Sequence, residues 1–331
     1  MAKKYDVYGI GNALVDIVTE VEDAFFTDHG IEKGLMTLVD EERQRKLMLA
    51  IHLPTSRMQC GGSAANSMIA VSQFGGKSFY SCKVAKDDMG QFYLKDLQEN
   101  GVDTNLTFEQ ASPGITGKCL VMTSPDSERT MNTYLGISEQ FSVKEIDDSA
   151  LINSEYVYIE GYLITSENGR EAMQHAKKLA ESSGVKTALT ISDPSMAKYF
   201  GKELHEVVGA SVDLMFCNEE EAMLFTGTQT LLDARESMKK VAKRFVITLG
   251  ANGAMIFDGD TFINIEPFPV KAIDANGAGD MFAGAFMYGI THGHSYAEAG
   301  KIASLASSKV VAKFGPRLEW HQAKEVLNYL F

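Results

Sequence analysis

The sequence predicts an α/β protein, a three-layer α/β/α core carrying a small β-sheet lid. Three observations predict it. From Tyr156 onward, short apolar runs alternate with amphipathic stretches, the rhythm of parallel strands covered by helices on both faces. Glycine turns at 9–12, 61–62, 250–253 and 277–279 follow or approach strand ends, and doubly wound sheets bind ligands at the carboxyl ends of their strands. Two β-rich segments, at about 13–40 and 112–136, interrupt the core pattern as insertions of the kind that form lids.

Along the chain, Val7–Ile10 is a short apolar run closed by Gly9-Ile10-Gly11-Asn12 and reads as a buried first strand. Leu14–Val21 and Leu35–Val39 read as strands of the lid, with Gly30 and Gly34 between them. Ser63–Phe74 has helical spacing after Gly61-Gly62, Ser78–Val84 is a strand, and Met89–Asn100 is a helix ended by Gly101. Gly117–Thr123 and Thr130–Leu135 flank the polar turn 124–128 and predict a hairpin. Tyr156–Ile159, Lys186–Ile191, Leu214–Cys217 and Phe245–Leu249 follow as strands, with helices at Ala172–Ser182 and Leu231–Val241. Helices at Gly279–Thr291 and Ala297–Phe314 occupy the last third. No repeat, low-complexity tract or long linker divides the chain, so residues 1–331 are expected to form one domain.

With 45% hydrophobic and 23% charged residues, the composition is that of an ordinary soluble globular protein. A formal net charge of −13 argues against nucleic acid and anionic membrane as partners. Any bound phosphate then needs local help from helix N-termini, an arginine or a metal ion. Cys60, Cys82, Cys119 and Cys217 form no CxxC and no Cys/His cluster, which suits reduced thiols. The start of the chain lacks a signal-peptide apolar region and no apolar run approaches a membrane span, so a cytoplasmic location is expected. Gly9-Ile10-Gly11 has Leu14 where a dinucleotide fingerprint has its third glycine, and no histidine pair has HExxH spacing. A dehydrogenase and a zinc hydrolase are therefore disfavoured.

The most informative stretch is Asp274-Ala275-Asn276-Gly277-Ala278-Gly279-Asp280, a glycine-rich turn opening an apolar helix. Free amides at such a helix start attract an anion. A carboxylate beside that anion hole suits a base that takes a proton from a hydroxyl attacking phosphate. Four further clusters each admit two readings. Asn12 and Asp16 suit a pair of sugar hydroxyls or an ordinary turn; Gly61-Gly62 with Asn66 suits a ligand or a close-packed helix start. Asn218 and Glu221, three apart at a helix start, suit the water shell of Mg²⁺ or the helix dipole. Arg129 in the hairpin suits a transferring phosphate or solvent.

Five elements stand in one order: Gly11-Asn12 with Asp16, Gly61-Gly62 with Asn66, Asn218 with Glu221, Thr248-Leu249-Gly250, and Asp274 through Asp280. Over nearly the whole chain this set resembles the PfkB (ribokinase-like) family of carbohydrate and nucleoside kinases. The resemblance implies a Rossmann-like (ribokinase-like) core, a β-sheet lid, and ATP- and Mg²⁺-dependent phosphorylation of a hydroxyl. It implies that Asp280 is the general base and that the backbone of Asn276, Gly277, Ala278 and Gly279 forms the anion hole. Arg129 would act on the phosphoryl group. Asn218 and Glu221 match the Mg²⁺/phosphate motif, and Thr248 and Gly250 fall on the nucleotide side. Asn12, Asp16, Gly61, Gly62 and Asn66 match the acceptor-binding positions. Many members of the family also bind a monovalent cation, which makes Asp274 an expected K⁺ ligand, although the usual Thr after it is Ala275 here.

Gly11–Ile17, Gly62-Ser63 with Asn66-Ser67, the Asn276–Asp280 form of the signature and Gly161–Thr165 resemble adenosine kinases. The expected acceptor is therefore the 5′-hydroxyl of adenosine or a similar nucleoside, with Tyr162 on the base and Leu14 and Leu135 lining its slot. Arg129–Gly136 is also the style of bacterial sugar kinases, so a ribokinase- or fructokinase-like acceptor is the alternative, and a non-catalytic ligand-binding homologue a further one. The expected partners are a nucleoside or sugar and ATP, with the chain a monomer or homodimer.

Overall fold

A computed structural model describes residues 3–51, 57–126 and 128–330, and apolar runs separated by helix caps order these described residues into thirteen strands. Ser127 of the predicted hairpin turn lies outside the described residues. In chain order the strands are β1 (Tyr5–Ile10), β2 (Leu14–Glu20), β3 (Met36–Leu38), β4 (Arg57–Gly61), β5 (Ser78–Ser81), β6 (Thr116–Thr123) and β7 (Arg129–Gly136). There follow β8 (Ser154–Glu160), β9 (Lys186–Thr190), β10 (Leu214–Asn218), β11 (Phe245–Thr248), β12 (Ala254–Phe257) and β13 (Phe262–Ile265).

Eight strands make the main sheet, in the order β13-β12-β11-β10-β9-β8-β1-β5. From β5 to β11 all neighbours are parallel. Successive side chains of a strand point to opposite faces, and here they feed two separate cores. Tyr156, Tyr158, Leu214, Phe216 and Val246 pack with the helices Ser63–Gln73, Ala278–Thr291 and Tyr296–Val311. Val157, Ile159, Met215, Phe245 and Ile247 pack with the helices Glu167–Ser182, Pro194–Val208 and Glu219–Thr226. That alternation is the predicted three-layer arrangement.

The second sheet has the order β3-β7-β6-β2-β4. β6 and β7 form the predicted antiparallel hairpin, β2 runs parallel to β6, and β4 closes the edge antiparallel to β2. On β7 the period of two puts Arg129, Met131, Thr133 and Leu135 on one face. The sequence reading ended the first lid segment near residue 40, whereas β4 also belongs to this sheet and the helix Glu41–Ala50 packs against β7. β4 reads Arg-Met-Gln-Cys-Gly, with no β-branched residue, so only its pairing with β2 makes it a strand. Other elements lie outside the sequence expectation, among them β12, β13 and two helices, Pro194–Val208 and Trp320–Leu330. β12 and β13 return antiparallel at the edge of the otherwise parallel sheet. The helix Pro194–Val208 was passed over although Asp193 caps it, accepting from Ser195 N, with Pro194 in its first turn.

The helices Ser63–Gln73 and Ala278–Thr291 cross in close contact because Gly284 has no side chain. A Cβ there would lie 2.4 Å from the Ser67 carbonyl oxygen and 2.5 Å from the Ala70 Cβ. The four cysteines are buried and unpaired, as expected for reduced thiols. Among the described residues no helix is long and apolar enough to cross a membrane.

Gly284→Ala forces these two helices apart and is expected to lower stability by about 1–3 kcal/mol. A urea midpoint equal to that of the parent would show that the helices separate freely.

Candidate active site

The apolar helix Ala278–Thr291 begins without a side-chain cap. Its N-cap is Gly277, at φ 71°, where a Cβ would stand 2.1 Å from the Cβ of Pro316. The turn before it is tied down by Asp274, whose buried carboxylate accepts from Asn276 N at 2.9 Å and from Gly315 N at 3.0 Å. The Ala278 amide turns back to the Ala275 carbonyl at 3.3 Å, and Met281 N bonds to Gly277 O at 2.8 Å. The amides of Gly277, Gly279 and Asp280 have no partner among the described residues. They leave three unpaired donors at the positive end of the helix dipole, an arrangement that can receive an anion. Apart from its own stretch of chain, no described atom lies within 4 Å of where a Cβ on Gly279 would be, and Gly279 lines the cleft.

Asp280 sits in the first turn of the helix with both oxygens held: Ser63 Oγ donates to Oδ1 at 2.6 Å and Asn66 Nδ2 to Oδ2 at 2.9 Å. Removal from water raises its pKa, while those two hydrogen bonds and the nearby cations Arg129 and Arg317 pull it back. Asp16, on β2 of the lid, is buried and raised to about 7 by desolvation, with Arg317 lowering it and Asp280 raising it. Its carboxylate occupies the room left by Gly61, where a Cβ would fall 2.0 Å from Asp16 Oδ1. Opposite stands Arg129 of β7, whose Nη1 donates to Asn276 Oδ1 at 2.9 Å and so links the lid to the anion-hole turn.

The second helix start in the cleft, Ser63–Gln73, is also uncapped by its own side chains; its N-cap Gly62 has φ 95°. Glu160, the last residue of β8, supplies the missing acceptor. Its Oε2 accepts from Ala64 N at 2.8 Å, and its Oε1 from Asn12 N and Nδ2 at 3.1 and 3.2 Å. Fully buried, Glu160 is raised to about 7 by desolvation. Asn12 is therefore held from both ends, its Oδ1 accepting from Ser138 Oγ at 3.1 Å.

Along the rest of the cleft, Asn218 and Glu221 do share one face, as a reciprocal capping box. Glu221 N donates to Asn218 Oδ1 at 2.8 Å, and Asn218 Nδ2 and N donate to the Glu221 oxygens at 2.8 and 3.0 Å. Burial raises Glu221 to about 8. Tyr162 lines the cleft and donates to Asp193 Oδ2 at 3.4 Å, and Thr248 ends β11 there. The lid turns an apolar face inward: Leu14, Met36, Leu38, Met131 and Leu135.

One cavity thus gathers Asn12, Asp16, Gly62, Asn66, Arg129, Leu135, Tyr162, Asn218, Glu221, Thr248, Asn276, Gly277, Gly279 and Asp280. Gly61, Asp274 and Ala278 stand behind its wall as supports, and Gly250 opens a 3₁₀ turn outside it. Sequence reasoning missed Ser63, Glu160 and Arg317. Ser63 was within reach, since it precedes Asn66 by three and shares its helical face. Glu160 left a trace as a carboxylate closing an apolar strand, and Arg317 left none. Among the described residues no three His, Cys, Asp or Glu side chains gather to hold a metal ion.

The family model of pfkB family carbohydrate kinases matches residues 34–323. The chain is 29% identical to 5-dehydro-2-deoxygluconokinase of Clostridium perfringens, over 79% of this chain and 82% of that protein. It is 26% identical to adenosine kinase 2 of Arabidopsis thaliana, over 95% of this chain and 96% of that protein. The crystal structure of adenosine kinase from Sinorhizobium meliloti superposes with a TM-score of 0.93 at 30% identity, covering 98% of this chain and 99% of that one. The chain belongs to the pfkB family of carbohydrate kinases, phosphotransferases that act on the hydroxyl groups of sugars or nucleosides.

Proposed function

We propose that this enzyme is an ATP- and Mg²⁺-dependent kinase of the 5′-hydroxyl of a nucleoside, adenosine foremost. The observation that carries the reading is the lid face. Leu14, Met36, Leu38, Met131 and Leu135 offer a flat apolar ring a surface that a polyhydroxylated sugar does not need, with Asp16 on the same sheet for ribose hydroxyls. The 30% identity to the Sinorhizobium meliloti adenosine kinase supports it. A sugar acceptor is the second reading, favoured by the likeness to 5-dehydro-2-deoxygluconokinase and by the polar group formed by Asn12 and Glu160 in the same cavity.

In the proposed mechanism Asp16 aims the acceptor oxygen at Asp280. As that oxygen bonds to the γ-phosphorus and the bond from phosphorus to the ADP oxygen breaks, Asp280 takes the hydroxyl proton. The amides of Gly277, Gly279 and Asp280 and the guanidinium of Arg129 offset the charge on the transferring group. Asn218 and Glu221, which line the cavity at a helix start, are the residues that would order the waters of an ion carried by the phosphates. Mg²⁺ so bound supplies charge neutralisation on the phosphate oxygens. Each Asp274 oxygen accepts one backbone amide and retains lone-pair capacity, so K⁺ stays within the proposal.

ADP release with adenosine, inosine, guanosine, ribose, fructose and 5-dehydro-2-deoxygluconate, with and without K⁺, tests the reading. The greatest kcat/KM is expected with adenosine, and a preference for a free sugar would overturn the nucleoside assignment. Asp280→Asn is expected to lower kcat by about 10²–10⁴-fold with little change in acceptor binding; near-parental turnover would remove Asp280 from the chemistry. Asp16 carries a third expectation. Its pKa lies near 3.8 unfolded and about 7 in the fold, so the bound proton stabilises the ligand-free protein at low pH. That contribution is lost as pH rises from about 4 through 7. Asp16→Asn lacks this loss and should gain stability relative to the parent between pH 5 and pH 8 in urea titrations. A pH-independent difference would contradict the raised pKa.

A further inference from the structure

Arg317 follows the last helical turn of Tyr296–Val311 and Gly315-Pro316, and its nearly buried guanidinium joins three elements beneath the cleft. Nη1 donates to Asp96 Oδ2 at 2.8 Å, Nη2 donates to the Cys60 carbonyl, and Nε donates to Asn66 Oδ1 at 3.3 Å. Asp96 Oδ2 also accepts from Cys60 N at 2.7 Å, so the ion pair grips the end of β4 just before Gly61-Gly62.

The contact with Asn66 has a directional consequence. A carboxamide presents an acceptor at one end and donors at the other. With Oδ1 facing the guanidinium, Nδ2 faces Asp280 Oδ2, to which it donates at 2.9 Å. The reversed amide would set NH₂ against a guanidinium and a carbonyl against a carboxylate, both repulsive. Arg317 therefore selects the one orientation of Asn66 in which it donates to Asp280. We infer that Arg317 is a positioning residue for phosphoryl transfer: through Asn66 it orients the Asp280 carboxylate. This rests on the reading of Asp280 as the base.

The charged and titratable groups facing Asp280 are few. Asp16 comes from β2, Glu160 and Tyr158 from β8, Tyr162 from the turn after β8, Arg129 from β7, and Arg317 from the C-terminal loop. Arg129 and Arg317 favour its anion by charge, and Ser63 and Asn66 do so by hydrogen bonding. Arg129 belongs to the lid, whereas Arg317 is anchored in the core by Asp96.

The test compares Arg317→Met and Arg317→Lys with the parent and with Asp280→Asn, using the best acceptor of the panel. It reads kcat against pH at saturating acceptor and ATP, KM for ATP, and Tm. Arg317→Met is expected to lower kcat by about 10²-fold and to leave KM for ATP near the parental value. It should also move the acidic limb of kcat to higher pH, because one cation that favours the Asp280 anion is gone. Arg317→Lys keeps the charge without the fork, so its acidic limb returns towards the parental pH while kcat stays reduced. Parental kcat in Arg317→Met, or a loss that merely follows the folded fraction with the limb unmoved, would overturn the inference. Where Arg317→Met fails to fold, Arg317→Lys decides, and parental kcat in it overturns the inference. Parental turnover in Asp280→Asn would instead show that the base is misassigned; an inactive Asp280→Asn beside a fully active Arg317→Met would sink the role of Arg317 alone.

Discussion

Two helices start at the cleft behind glycine N-caps that offer no side-chain acceptor, and the site is organised around those two ends. Gly62 and Gly277 both hold positive φ angles, at 95° and 71°, and neither helix has a side-chain cap from its N-cap residue. Each end therefore carries unsatisfied amides and partial positive charge. They meet because the helices touch at Gly284, where even a methyl group would collide with the Ser67 carbonyl. One end is satisfied within the protein, by Glu160 on the Ala64 amide. The other borders the cleft at Gly279 and suits an anion, as the proposed mechanism requires.

Carboxylates crowd around these ends. Asp16, Glu160 and Glu221 are buried enough that their pKa values rise to about 7, 7 and 8, and that of Asp280 rises as well. In a chain with a net charge of −13, such a group is held in place only by local compensation. The helix ends, Arg129, Arg317 and hydrogen-bond donors such as Ser63 supply it. The site is consequently balanced between carboxylates that accept protons readily and donors that keep them ionised, which is what a base acting near neutral pH requires.

In the proposed mechanism the phosphoryl-transfer half and the acceptor half of this site have different origins in the chain. The anion hole and Asp280 come from one continuous turn and helix in the core. The surface that meets the acceptor comes from alternate residues of β2, β3 and β7, elements far apart in sequence that the lid sheet brings side by side. The chain is similar both to a 5-dehydro-2-deoxygluconokinase and to an adenosine kinase.

Much was legible in the sequence where function rests on local patterns. The Asp274–Asp280 turn, the strand–helix rhythm, the β6–β7 hairpin and the pairing of Asn218 with Glu221 depend on neighbours within a few residues, so spacing alone identified them. What spacing could not supply were contacts closed over long separations. β4 is a strand only because β2 pairs with it, Glu160 caps a helix 96 residues away, and Arg317 reaches Asn66 across 251 residues. The sequence by itself determined the fold class and the glycine turn that opens the Ala278–Thr291 helix, because helix ends and strand faces follow from local patterns. Only the tertiary structure decided how Asp280 is held and what the lid presents to the acceptor. Those outcomes depend on which buried charges and hydrogen-bonding groups meet when distant segments close on one another, and no local pattern records that meeting.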